Sequence, residues 1–255
     1  MITSKTNPKI KNVVKLQKSS IRREQNRIII EGKREIERAV ACGFVVDTLF
    51  VCNEILKESI DIKASLVEEV SLEVFEKIAY REGSDGLLAV AIPKYADLKD
   101  FKPKKNPLII VLETVEKPGN LGAIMRTADA AGVDAVIIAD PRTDLFNSNA
   151  IRASIGTIFS VPLFACSSEE CIEWLKSNNI KIYCTYLKAS IDYLEADFRK
   201  GSAIVMGTEA TGISDIWVEA ADQNLIIPMN GIADSLNVSV TTAIVVFEAI
   251  RQRRI

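Results

Sequence analysis

Short apolar runs recur through the second half of the chain, at residues 108–112 (LIIVL), 135–139, 180–185, 203–206 and 225–227. A strand made from such a run has no polar face, so the sheet it joins must be covered on both sides. Segments with helical patterning lie between most of the runs. Strands that alternate with helices in this way form a parallel sheet wrapped by helices.

The first ninety residues alternate too, on a smaller scale. Residues 7–26 read as one helix, with Ile10, Val13, Val14 and the stretch from Leu16 to Ile21 as its apolar stripe. A short strand at 28–30 follows, then a helix from Gly32 towards Gly43. Strands come next at 45–51 and up to Val70, then a helix from Ser71 to Ala79 and a strand at 87–92. Residues 93–107, PKYADLKDFKPKKNP, are rich in Lys and Pro and interrupt the pattern. The expected organisation is a small α/β domain at 1–92, a linker at 93–106 and a larger α/β domain at 107–255.

Composition removes several chemistries. The chain has no histidine. Ser-His-Asp and Cys-His nucleophile systems, His-ligated zinc and the usual general base near neutral pH are therefore excluded. The five cysteines include no CxxC pair, and the basic N-terminus lacks the apolar core of a secretory signal. Buried thiols in a reducing cytoplasm are the expectation, with no metal site and no membrane span. The net charge of -2 hides an asymmetry. Residues 1–38 hold eleven Lys and Arg against four acids, a balance of +7, whereas residues 107–255 carry -6. A polyanion is drawn first to the N-terminal end, although a solvated basic helix face accounts for the same numbers.

Three turns carry candidate chemistry. In VLETVEKPGNLGAIMR (111–126) a strand enters a turn, and a helix follows. Asn120 stands at the helix mouth and Arg126 nearly two turns further in. An arginine among small apolar residues is costly to bury unless it meets an anion, and a surface position explains it equally well. In AIVMGTEATGIS (203–214) a strand ends at Gly207, with Glu209 and Gly212 in the loop. In open parallel sheets ligands bind at the carboxyl ends of strands, yet an ordinary glycine-containing turn has this composition as well. In LIIPMNGIADSLNVSV (225–240) the strand stops at Pro228, and Ser235 and Asn237 precede a long apolar helix ending in RQRR. Ser235 could cap that helix. Asn237, between Leu236 and Val238, reads as buried and in need of partners.

Together and in this order, the three elements resemble the SpoU (TrmH-type) branch of the SPOUT methyltransferases. The resemblance is carried by Asn120 and Arg126 in PGNLGAIMRTA, by Gly207 and Glu209 in MGTEATG, and by Pro228, Ser235, Leu236 and Asn237 in IPMNGIADSLNVSV. The segments NPKIKNVVKL and RREQNRIIIEGKREIERA resemble the RNA-binding domain that precedes the catalytic domain in many members. This similarity implies an L30e/L7Ae-like first domain and a SPOUT second domain with a C-terminal trefoil knot. It implies a homodimer that moves a methyl group from S-adenosylmethionine to a ribose 2'-hydroxyl of structured RNA. Ribosomal RNA is favoured over transfer RNA.

By position, Gly207, Ile227, Met229 and Leu236 are the implied cofactor contacts. Asn120, Arg126, Glu209, Ser235 and Asn237 are the implied catalytic set. The family assigns the base to the motif-one arginine, here Arg126. Guanidinium stays protonated in proteins, so stabilising a developing alkoxide is the alternative role. A non-catalytic RNA-binding protein of this fold is expected to lose Asn120, Arg126, Glu209 or Asn237, and all four are present. A nucleotide-binding Rossmann enzyme needs a GxGxxG or GxxxxGK[ST] cradle, and the chain has neither.

Overall fold

The apolar runs are strands. In the computed structural model, which describes residues 1–57, 61–80, 83–188, 190–208 and 211–254, each run falls on one strand of a sheet, with Ile180 just before its strand and Ile227 just after. The chain forms two units, residues 1–94 with 144–160, and residues 95–143 with 161 onwards.

The first unit contains α1 (Pro8–Lys15), α2 (Ser19–Gln25), β1 (Ile28–Glu31), α3 (Lys33–Ala41), β2 (Val45–Val51), β3 (Ala64–Glu69), α4 (Leu72–Ile78) and β4 (Leu87–Ile92). Its sheet has the order β1-β4-β2-β3. Strand β4 runs antiparallel to both neighbours, and β2 and β3 are parallel. Ile10, Val13 and Leu16 pack with Phe50, Val74 and Phe75 in its core.

The helix expected over 7–26 is two helices, α1 and α2, and Arg22 shows why. Its buried guanidinium donates to the carbonyls of Leu16 and Gln17, both at 2.8 Å. A continuous helix would hold those carbonyls in its own ladder. The same guanidinium donates to Asp144 Oδ2 at 2.7 Å.

The second unit contains β5 (Leu108–Glu113), α5 (Pro118–Ala131) and β6 (Ala135–Ala139). The chain then supplies α6 (Ser148–Ala153) to the first unit and returns. There follow β7 (Leu163–Cys166), α7 (Ser168–Ser177), β8 (Lys181–Thr185), β9 (Ile191–Asp192), β10 (Ser202–Met206), α8 (Asp215–Ala220), β11 (Gln223–Ile226) and α9 (Val238–Arg253). The order is β7-β6-β5-β10-β8-β11-β9, and every neighbouring pair is parallel. Strands β5 and β10 lie side by side, with Met206 opposite Leu112. The turns that follow them are therefore neighbours.

Two findings depart from the expected division at 92 and 107. Residues 95–106, most of the linker expected at 93–106, pack on the second unit. Ala96 bridges to Phe164, Leu98 is buried, and the Phe101 ring lies 5.0 Å from that of Phe164. Three apolar side chains among the lysines are enough to hold the stretch down. Residues 144–160 pack with the first unit. Phe44 makes edge contacts with Phe146 and Phe159, at 5.6 and 4.8 Å between ring centroids. Arg38 donates to the carbonyl of Ile155 at 2.5 Å. No helix among the described residues is long and apolar enough to cross a membrane.

Candidate active site

The site is built at the carboxyl ends of β5 and β10. Beyond β5 the backbone turns at Thr114, whose φ is 49°, and Pro118 opens α5 at its first position. Asn120 is the third residue of that helix and is half-buried. Beyond β10, Gly207 meets the returning loop so closely that a Cβ would lie 2.3 Å from the carbonyl carbon and oxygen of Gly212. Paired backbone hydrogen bonds between Thr208 and Gly212, at 3.0 and 3.1 Å, hold that approach. A cleft opens between the two turns, lined by Leu112, Val115, Asn120, Met206, Gly207 and Val238.

Asn237 ties the third element to the first. It is the N-cap of α9, and its Oδ1 accepts from Ser239 N at 3.0 Å and from Ser239 Oγ at 2.6 Å. Its Nδ2 donates to Asn120 Oδ1 at 3.3 Å. The expectation that Asn237 is buried is corrected: the residue is exposed. Its amide finds partners because it starts a helix that packs against α5. It also takes the capping role considered for Ser235. Ser235 lies outside the helix, exposed, and its hydroxyl donates to Asp234 Oδ1 at 3.4 Å.

The structure brings Asn120, Gly207 and Asn237 together. Arg126 lies on the same helix as Asn120, about 9 Å further along its axis at 1.5 Å per residue. It is exposed and makes no hydrogen bond or ion pair among the described residues. Ile227 and Met229 are half-buried, and Leu236 is exposed, on the chain between β11 and α9. Glu209 lies outside the described residues.

One residue with a clear part in this geometry was not singled out from the sequence. Glu113 ends β5, is 6% exposed, and accepts from the backbone N–H of Ser214 at 3.0 Å. It thus fastens the far side of the loop after β10 to the end of β5. Its signal was the single charge closing the run LIIVLE.

The residues present fit a cofactor such as S-adenosylmethionine. Leu112, Val115, Met206 and Val238 offer apolar contact, and the backbone of Gly207, pressed against that of Gly212, lines the cleft beside them. Glu113, Glu116 and Lys117 line the same cleft, and Glu116 is paired with Arg142.

Comparison with known proteins identifies the family. The SpoU rRNA Methylase family model matches residues 107–247, and an MRM3-like substrate binding domain model matches residues 7–89. The 23S rRNA (guanosine(2553)-2'-O)-methyltransferase RlmP of Bacillus subtilis is 30% identical over 246 residues, which are 96% of this chain and 97% of that protein. A crystal structure of an RNA 2'-O ribose methyltransferase superposes with a TM-score of 0.89 at 39% identity, covering 100% of this chain and 99% of the other. An AdoMet-bound rRNA methyltransferase from Sinorhizobium meliloti gives a TM-score of 0.89 at 30% identity, covering 98% and 97%. With both halves matched, and with the turns after β5 and β10 meeting the start of α9, the chain belongs to the SpoU rRNA methylase family.

Proposed function

We propose that this protein methylates the 2'-hydroxyl of a ribose in ribosomal RNA, using S-adenosylmethionine. The observation that carries the proposal is the Asn237–Asn120 hydrogen bond beside Gly207. It unites three sequence elements at one end of a parallel sheet. S-adenosylmethionine, when bound, supplies an electrophilic methyl group on a sulfonium.

The chain's own residues do the rest. Gly207, Ile227, Met229 and Leu236 hold the cofactor, largely through backbone groups. Asn120 and Asn237 fix each other and set the mouth of the cleft, so the reacting oxygen arrives in a defined position. Arg126 stabilises the alkoxide that develops as the hydroxyl attacks. It cannot accept the proton as a guanidinium, so the proton leaves to solvent. Ser235 and Glu209 complete the site from the loops.

Arg126 stands far along α5 from the cleft within one chain, which favours a site completed by a second copy. Ile232, Leu236, Val240 and Phe247 are exposed on α9 and the loop before it. Val240 and Phe247 are two helical turns apart on one face. We assign this face to a homodimer and, by family, a C-terminal trefoil knot to the second unit. The first unit makes the initial contact with RNA, and the protein works in the cytoplasm.

The test is transfer of labelled methyl from S-adenosylmethionine to unmodified ribosomal RNA, followed by alkaline hydrolysis. A 2'-O-methyl nucleotide survives as an alkali-resistant dinucleotide. Label in a base, or in transfer RNA only, overturns the proposal.

A further inference from the structure

Eleven Lys and Arg lie in the first 38 residues, and the fold uses most of them. Lys5 pairs with Glu73, Lys9 with Glu68, Arg22 with Asp144, and Arg27 with Asp47. Lys33 pairs with Glu37 and Arg34 with Glu35. Arg38 is spent on the carbonyl of Ile155. Four remain: Lys11, Lys15, Lys18 and Arg23. All four are exposed, and none has an acidic partner among the described residues.

These four are not scattered. Lys11 and Lys15 are one turn apart on α1 and share its outer side, while Ile10 and Val13 face the core. Lys18 is the N-cap residue of α2, and Arg23 lies on that short helix. The break at residues 16–18 therefore leaves a run of cationic groups along two consecutive helices. Glu24 is the one acid within residues 1–30. A charge already matched by a carboxylate releases little counterion when it meets a phosphate. An unmatched lysine contributes its full share.

We propose that Lys11, Lys15, Lys18 and Arg23 form the surface of the first unit that contacts RNA phosphates. The paired cations around them serve the fold. This rests on the reading of the protein as an RNA methyltransferase and narrows it to named residues. Contacts of this kind fix position on the RNA without reading its sequence.

The test is fluorescence anisotropy of a labelled RNA stem–loop with the full chain, across a potassium chloride series. The variant Lys11→Gln/Lys15→Gln/Lys18→Gln is compared with Lys5→Gln/Lys9→Gln/Arg27→Gln, which loses the same charge. Each phosphate contact contributes roughly 0.7–0.9 to the slope of log affinity against log salt. The first variant is expected to lower the slope by about 2–3, and the second by less than about one. Calorimetric binding of S-adenosylmethionine, unchanged in both, reports that they are folded. If the first triple variant does not fold, Lys15→Gln alone is expected to lower the slope by roughly 0.7–0.9. Equal losses in the two triple variants overturn the inference and leave the functional reading standing. Absence of RNA binding by the wild-type chain overturns both.

Discussion

Gly207 admits no side chain. The atoms that a Cβ would meet at 2.3 Å are backbone atoms of Gly212, and they are held by the Thr208–Gly212 pairing. Overpacking of this kind typically costs about 1–3 kcal/mol. Gly207→Ala is therefore expected to lower the melting temperature and to weaken S-adenosylmethionine binding at least about tenfold, that is, by about 1.4 kcal/mol. Calorimetry with unchanged cofactor affinity would separate this loop from the cofactor site. Arg126 invites the opposite pattern. Exposed and away from the cleft, it is expected to matter for transfer and not for cofactor binding. Arg126→Ala should abolish turnover while cofactor affinity stays within a few-fold, and near-normal turnover in that variant removes Arg126 from the mechanism. At this scale the motif glycine and asparagines were legible as one-letter patterns. The exposure of Asn237 was not, because apolar neighbours in sequence do not reveal which side of a helix start is covered. The anchoring role of Glu113 was hidden too, since its partner is the backbone of Ser214, far along the chain.

The joints between elements carry much of the fold's polar chemistry. Arg22 and Asp144 form an ion pair with side chains 3% and 10% exposed. Removing one member strands the other, a loss of about 3–5 kcal/mol. Arg22→Ala is expected to shift the urea midpoint of the first unit accordingly; a change under about 1 kcal/mol would mean that water replaces the pair without loss. At the other end of the chain, α9 carries an ion pair within its own last turns. Glu248 accepts from Arg251 Nε and Nη2, each at 2.8 Å, and from Gln252 Nε2 at 2.8 Å. The Arg251 guanidinium holds the Glu248 carboxyl below its ordinary value of 4.5. A carboxyl depressed in the folded state stabilises fully above its unfolded value, and this contribution fades as pH falls through the folded one. The melting-temperature gap between wild type and Glu248→Gln should be constant above pH 4.5 and narrow below it; a gap independent of acid excludes the linkage. Long buried strands such as β5 and β6 were legible because continuous apolar runs have one simple explanation. Strands β7 and β9 were missed. The first alternates and carries an exposed Ala165, and the second is two residues long. The break between α1 and α2 was illegible because the Arg22 guanidinium that takes the Leu16 and Gln17 carbonyls is also held by Asp144, which is distant in sequence.

For the whole molecule, the expectation is a stable dimer. Val245 and Val246 are fully buried in the single chain, but Val240 and Phe247 are about half exposed beside an exposed Ile232. An apolar face of this kind on an isolated chain is normally covered. Light scattering should give twice the mass of the chain, and Val240→Glu/Phe247→Glu should yield monomers that bind cofactor weakly and do not transfer methyl. A fully active monomer excludes the arrangement. Two α/β units could be read from the order of runs and helices, but their membership could not. Periodicity is local, and nothing near residues 144–160 says that this stretch completes the smaller unit. That detour limits how such a protein can be cut or shuffled. A gene fragment ending near residue 94 would encode a module lacking the segment that covers Phe44 and neutralises Arg22. The remaining fragment would display Phe146 and Phe159 to solvent as an uncovered apolar segment. Recombination that swaps the front of the coding sequence between relatives is thus penalised, unless it exchanges the internal stretch in the same event.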